Sequence, residues 1–349
     1  MRTPFILSIS VLLVATASAC GKVGALAGGA GNGSGGASSG SCSILANPGS
    51  PNSGFSASAG LFTYSPLDVN TEINTIAPLG NLIAPGHVFP SDHIYLYMQG
   101  STAAGAHNVI APADGNVVGI TTLNHPGGFV DYTLYVAVDR SFWWFVGHVQ
   151  PAPGITVGST ITAGDVVATN SGWSTAVDFG VYNWNQSSNP GVLDDCIQNA
   201  DGMTDAPLSF YQGALRTALY NRVNSASTPD GTIGLDVAGE LVGFWTQEGN
   251  ANPLDQNFDV TFGYQIVAPG IAQIASGGTG LPQGDYTVGV SDPDFRAVTP
   301  SSGVVTYHLS GSASGVLLVQ LVSAGRLKLE FFPGAGSASF DSNAVYFVR

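Results

Sequence analysis

From Leu61 onward the chain is dominated by short runs of alternating apolar and polar residues, broken by Gly, Pro, Asn and Ser. A period of two belongs to strands that bury one face. In Asp92–Met98, the residues His93, Tyr95 and Tyr97 alternate with Ile94, Leu96 and Met98. The aliphatic set predicts a core face, and the polar-tipped set the opposite one. Tyr132, Leu134, Val136 and Val138 alternate in the same way with Asp131, Thr133, Tyr135 and Ala137. So do Val177, Phe179 and Val181 with Ala176, Asp178 and Gly180. If the strands carrying His93 and Asp178 are neighbours, both groups face one surface.

The period changes between Pro207 and Val223. Leu208, Tyr211, Leu215, Leu219 and Val223 recur at three- and four-residue steps. This predicts an amphipathic helix, capped by Asp205 or Thr204 and with Pro207 in its first turn. After Leu235 short strands resume, over Leu241–Thr246, Phe258–Val267, Tyr286–Val290, Val304–Ser310, Val316–Leu321, Leu327–Phe332 and Ala344–Val348. Their spacing predicts an antiparallel β-sandwich or β-barrel. The expected fold class is therefore mainly β: a β-sheet domain over 61–205, a helical connector and linker over 206–234, and a C-terminal β domain over 235–349. Scarce charge, at 9%, and 47 glycines agree with turn-rich β structure.

The first twenty residues read as an export signal. Arg2 precedes a short apolar run, Phe5 to Ala15, and then Ala17-Ser18-Ala19-Cys20. The last four resemble a bacterial lipobox, in which Cys20 would be lipidated and anchor the protein to the membrane. Ordinary cleavage at the small residues is the alternative. Residues 21–60, rich in Gly, Ala and Ser, are expected to form a flexible tether. With Cys20 lipidated, Cys42 and Cys196 remain as an even pair outside the cytosol. A disulfide between them would contribute about 4–5 kcal/mol by loop closure; two separate thiols are the alternative. The net charge of −14, with Arg140 the only Lys or Arg between Ser43 and Asp205, argues against nucleic acid as a partner.

Four segments, in order, carry a family resemblance over about residues 75–185. They are Pro90 to Tyr97, Val109 to Val118 with Ala113-Asp114-Gly115, Tyr135 to Val149 ending Gly147-His148-Val149, and Ala176 to Val181. A further stretch, Ile155 to Val167, carries Gly158, Ile161 and Gly164 at matching spacing. Together they resemble the lysostaphin-type zinc endopeptidases of bacterial cell walls. The resemblance implies a duplicated-hybrid-motif β fold, and peptidoglycan peptide or an envelope protein as partner.

It also implies where zinc would be held, and there the chain departs from the family. The first pair of the motif begins at His93, but its Asp falls on Tyr97. The final His-x-His falls on Ala176 and Asp178. His148 keeps a catalytic histidine. Carried over residue by residue, His93 and Asp178 remain as metal ligands, with His87 able to swing in from the preceding loop. Two strong ligands fall short of the three that a catalytic zinc needs. A Tyr97 phenol, with a pKa of about 10, is a poor substitute. Whether zinc is bound is thus left open by the sequence. It favours an exported, lipid-anchored envelope protein whose first domain binds or scaffolds without cutting. The alternative is a divergent zinc peptidase cleaving peptidoglycan cross-links. His107, His125 and His308 receive no role.

Overall fold

The computed structural model describes residues 54–186, 189–193, 201–224, 229–250, 252, 255–268, 270–334 and 338–349. The leader, most of the tether, and Cys20, Cys42 and Cys196 lie outside the described residues.

Nine strands form the first sheet: β1 (Ile73–Ala77), β2 (His93–Met98), β3 (Asn108–Ile110), β4 (Gly115–Asn124), β5 (Val130–Asp139), β6 (Phe142–Pro151), β7 (Thr160–Ile161), β8 (Val166–Asn170) and β9 (Ala176–Asn183). They run in the order β1-β2-β9-β6-β5-β4-β7, with β8 paired to both β6 and β3. The alternation in sequence sorts the side chains. Ile94, Leu96, Leu134, Val136, Trp144, Val146, Val177, Phe179 and Val181 are buried on one face. Phe62, Phe210, Tyr211 and Leu219 cover that face. On the opposite face stand His93, Tyr95, Phe145, Asp178 and Tyr182. Removing the aliphatic face from water is the main driving force for this sheet, and it leaves the other face available for chemistry.

The predicted helix is shorter than its periodicity suggests. Pro207–Phe210 is a single 3-10 turn, and the α-helix, α1, runs over Gly213–Tyr220. Tyr211 interrupts them: it is fully buried, and its hydroxyl donates to the Tyr64 carbonyl (3.0 Å). Gly213 then takes φ 59°. The apolar positions Leu208 and Tyr211 thus serve the same core as a helix would, through a bent path. Neither Asp205 nor Thr204 caps this segment. Ala206 is the N-cap of the 3-10 turn and Gln212 that of the helix, each without a side-chain cap bond. Asp205 instead accepts from the adjacent Ala206 amide (2.8 Å). No helix among the described residues is long and apolar enough to cross a membrane.

Between the two predicted architectures for the C-terminal region, the structure adopts a closed antiparallel barrel. Its strands are β10 (Gly243–Gln247), β11 (Asp259–Tyr264), β12 (Ala272–Ser276), β13 (Gly284–Val288), β14 (Val304–Gly311), β15 (Gly315–Ser323), β16 (Arg326–Pro333) and β17 (Val345–Val348). Each pairs with the next, and β10 closes onto β17. Strand β12, Ala-Gln-Ile-Ala-Ser, is absent from the sequence-based expectation because it carries a single β-branched residue. Its pairing partners on both sides hold it in place. Trp245, Phe262, Tyr286, Phe295, Tyr307 and Phe347 fill the interior, as expected for a barrel of this strand number.

Candidate metal centre

Strand pairing brings the predicted site residues together. Tyr95 lies opposite Asp178 across the β2–β9 ladder, with His93 two residues away opposite Gly180. Gly147 faces Asp178 from β6 on the other side. A Cβ at Gly147 would lie 3.0 Å from Asp178 Oδ2, so the missing side chain makes room for the carboxylate. At Gly180 a Cβ would fall 2.0 Å from the Phe145 ring, which packs 6.1 Å from the His93 ring.

His148 reaches the same place by a local irregularity. In a regular strand it would point away from Gly147, into the core. Instead, Val146 pairs with Leu134 and Val149 with Tyr132, so Gly147 and His148 together oppose Thr133. His148 has φ 57°, the one positive value outside glycine among the described residues. This bulge re-aims its side chain onto the cleft face.

The resulting distances are specific. His93 Nε2 lies 3.4 Å from Asp178 Oδ2, and His148 Nε2 lies 3.6 Å from the same oxygen. Each imidazole is anchored from behind by a carboxylate. His93 Nδ1 bonds Asp92 Oδ1 at 2.7 Å, and Tyr182 donates its hydroxyl to Asp92 Oδ2. His148 Nδ1 bonds Asp131 Oδ2 at 2.9 Å. Burial would raise the Asp92 pKa, but the His93 hydrogen bond and charge, with the Tyr182 hydroxyl, hold it below the ordinary value. Asp131 likewise stays ionised: burial opposes it, and the contacts of His148, His125 and Ser171 overcome that cost. An ionised carboxylate only accepts, so in the neutral rings Nδ1 carries the proton and Nε2 a lone pair. Two such lone pairs then face an anionic oxygen, which a bound cation or a proton on either ring would satisfy. Asp178 Oδ1 is also buried without a hydrogen-bond partner.

Separation distinguishes metal ligands from hydrogen-bond partners. Two ligands about 2.0–2.1 Å from a tetrahedral zinc are roughly 3.3–3.4 Å apart. The 3.4 Å separation of His93 Nε2 from Asp178 Oδ2 matches that value, and His148 Nε2, at 3.6 Å, lies slightly beyond it. His125, Asp131 and His148 also cluster. Their contacts of 2.7 and 2.9 Å are too short for co-ligands and are hydrogen bonds. His125 Nε2 and Ser171 Oγ donate to Asp131, which is fully buried and accepts three bonds in all. Trp173 stacks on His125 at 4.3 Å and fixes the far end of this chain.

His87 lies beside the pair. Its ring is edge-on to that of His93, with centroids 5.0 Å apart; two imidazoles on one tetrahedral zinc stand ~5 Å apart by the same geometry. Burial, and then the neighbouring His93, lower its pKa to about 4, so at neutral pH its lone pair is available. Tyr97 is the opposite case. Burial and the charge of Asp178 raise its pKa, which keeps the phenol protonated and unsuited to ligation. Ala176 is buried beside Tyr95 and Tyr97. His93, Asp178 and the neighbouring His87 are donor types that suit zinc, although among the described residues the one trio of such side chains whose ligand atoms all lie within 4.8 Å of one another is His125, Asp131 and His148.

His125, Asp131, Ser171 and Tyr182 belong to this centre without a signal in the sequence, whereas Asp92 adjoins His93 in the chain and anchors its imidazole. His125 lies before β5 and Asp131 within it, and neither position suggests that they flank a histidine of β6. Trp144 lies wholly in the core, whereas Trp143 packs edge-on to Trp184 on the cleft side.

No protein-family model and no curated protein matches the chain. Among solved structures it is similar to a catalytic domain of the prophage-encoded protein EnpA from Enterococcus faecalis, with 21% identity over 27% of this chain and 68% of that one, at a TM-score of 0.21. It is similar to LytM of Ruminococcus gnavus, described as a glycyl-glycine endopeptidase, with 17% identity over 26% of this chain and 38% of that one, at a TM-score of 0.20. It is also similar to lysostaphin, with 13% identity over 83% of this chain and 92% of that one, at a TM-score of 0.27. The chain therefore spans well under half the length of the LytM structure. The structures it resembles are lysostaphin-type peptidases, at a level of likeness too low to assign an activity.

Proposed function

We propose that the protein is a zinc-dependent peptide hydrolase acting on cross-link peptides of the bacterial cell wall. The observation that carries this reading is the convergence of His93 Nε2 and His148 Nε2 on one oxygen of Asp178, with both tautomers set from behind. His93, Asp178 and His87 would hold the ion. Zinc bound there supplies Lewis acidity, polarising an amide carbonyl and acidifying water. The proton work falls to His148, whose Nε2 faces the cleft while Asp131 fixes its ring. Burial lowers the His148 pKa, but the charge of Asp178 and the bond and charge of Asp131 outweigh it, so the net shift is upward. His148 is thereby suited to take a proton at Nε2 and return it to a leaving amine.

The substrate class rests on the sequence resemblance over about residues 75–185. The competing reading, a binding module without catalysis, draws its support from lost ligands. His87 and the carboxylate of Asp178 weaken that support.

Zinc-loaded protein incubated with cross-linked peptidoglycan is expected to release new amino groups, and a chelator to stop the release. His148→Ala should keep the zinc and lose the release. Protein that stays metal-free with zinc supplied, or that holds zinc and opens no peptide, would overturn the proposal.

Export and lipid anchoring through Cys20 belong to the same proposal and rest on the leader alone. Fatty-acid labelling should mark the wild-type chain and not Cys20→Ala. Equal labelling of the two removes the anchor from the account.

A further inference from the structure

The loop that carries His87 is closed at its neck and gripped from outside. Gly80 and Asn81 exchange backbone hydrogen bonds with Ser91, and Ile83 and His87 pair in both directions (3.0 and 2.8 Å). Those bonds shape the loop and tie its base to the start of β2, where Ser91 Oγ donates to the His93 carbonyl. Contacts from the barrel hold the rest of it. Gln256 Oε1 accepts from the amides of both Val88 (2.6 Å) and Phe89 (3.0 Å), the residues that follow His87. Thr261 of β11 donates its hydroxyl to the Val88 carbonyl. On the other side, Gln273 of β12 donates to the Leu82 carbonyl (3.1 Å), and Asp285 of β13 accepts from the Ala84 amide (3.2 Å). Gln273 also donates to Asp285 (3.1 Å), which joins the two contacts into one unit. Apolar contacts follow the same path. Phe89 packs edge-on to Phe244 at 5.2 Å, and Leu82 and Val88 bury against Ala275.

We infer that the barrel is a positioning element of the metal centre: Gln256 and Gln273 clamp the loop so that the His87 imidazole is held against His93. This rests on the zinc-binding reading above. A loop tip carrying one ligand must otherwise be ordered when the ion arrives, and that ordering subtracts from affinity. Groups that orient a ligand typically matter 10–100-fold in metal affinity. The barrel in this view acts on the first sheet's chemistry, although none of its residues touches the metal.

The test is a double-mutant cycle on cobalt(II) affinity, read by its visible absorption in the intact chain and competed with zinc. Gln256→Ala should weaken binding about tenfold. In a His87→Ala background the same substitution should change nothing, because the ligand it positions is gone. Thermal stability should fall by a similar amount in both backgrounds, which separates positioning from general loosening. Gln273→Ala, acting on the other flank, should repeat the pattern if Gln256→Ala fails to fold. Glu248→Ala, which removes the exposed Arg326 ion pair elsewhere on the barrel, should leave affinity unchanged. Unaltered binding in both glutamine variants, or an equal loss with and without His87, would overturn the inference. A wild-type chain that binds neither cobalt nor zinc would instead remove the reading on which it rests.

Discussion

Asp178→Ala is expected to abolish stoichiometric zinc binding, and His93→Ala to do the same. Asp178 provides the anionic oxygen on which two imidazoles converge, at 3.4 and 3.6 Å. Without it, neutral nitrogens alone face the ion, and too few ligands remain for a catalytic zinc. The expected loss exceeds the roughly 10–100-fold that follows when a group that only orients a ligand is changed. Asp178→Asn should lie between, since it keeps an oxygen but not the charge. The fold should survive each change. Both residues stand on the cleft face of β2 and β9, while Ile94, Leu96, Val177 and Phe179 hold the core from the other side. Metal analysis after purification with zinc, beside circular dichroism, decides the matter. One equivalent of zinc retained in both alanine variants would place the metal elsewhere.

The second large effect is expected at Asp131, which no sequence motif singles out. Asp131→Asn should cost about 2–3 kcal/mol, the scale of hydrogen bonds to a charged group. Its carboxylate is fully buried and accepts from His125, His148 and Ser171. An asparagine offers one acceptor and turns an N–H group toward a donor. The cost should depend on pH in a defined direction. The folded pKa of Asp131 lies below its ordinary 3.8. Its contribution is therefore complete above the unfolded value and is lost as pH falls through the folded one. Melting temperatures of wild type and variant should differ most near neutrality and converge in acid. His148 runs the other way. Its folded pKa is raised above 6.5, so its ion-pair contribution is present below that value and fades as pH rises through the folded one. Removing the Asp131 charge should bring the His148 titration down, measurable by NMR, and lower hydrolysis by about 10²–10⁴, as when a catalytic histidine loses its orienting carboxylate. An unshifted His148 titration would show that Asp131 is only structural.

How much of this centre is legible in the chain depends on the kind of signal each residue leaves. His93 and Asp178 stand out because strand periodicity assigns them to one face, and adjacent strands in register then bring them within a few ångströms. Tyr97 and Ala176 mark the departure from the family pattern equally well. His125 and Asp131 leave no such mark, because a His-Asp-His chain spanning β5, its preceding loop and β6 has no fixed spacing in sequence. The re-aiming of His148 is also hidden. It depends on a bulge, and strict alternation would have sent the imidazole into the core.

The same division runs through the whole protein. Period-two patterning, glycine placement and low charge were sufficient for a mainly β chain, with two β regions about a short helical connector, because side-chain alternation is a local property of extended backbone. Tertiary structure alone decided that the second region closes into a barrel, that β12 exists, and that barrel glutamines reach across to the loop of His87. The contacts to that loop join residues 191 and 201 positions apart, as for Gln273 with Leu82 and Asp285 with Ala84. Contacts of that range depend on how completed sheets pack, and no local pattern in the chain encodes them.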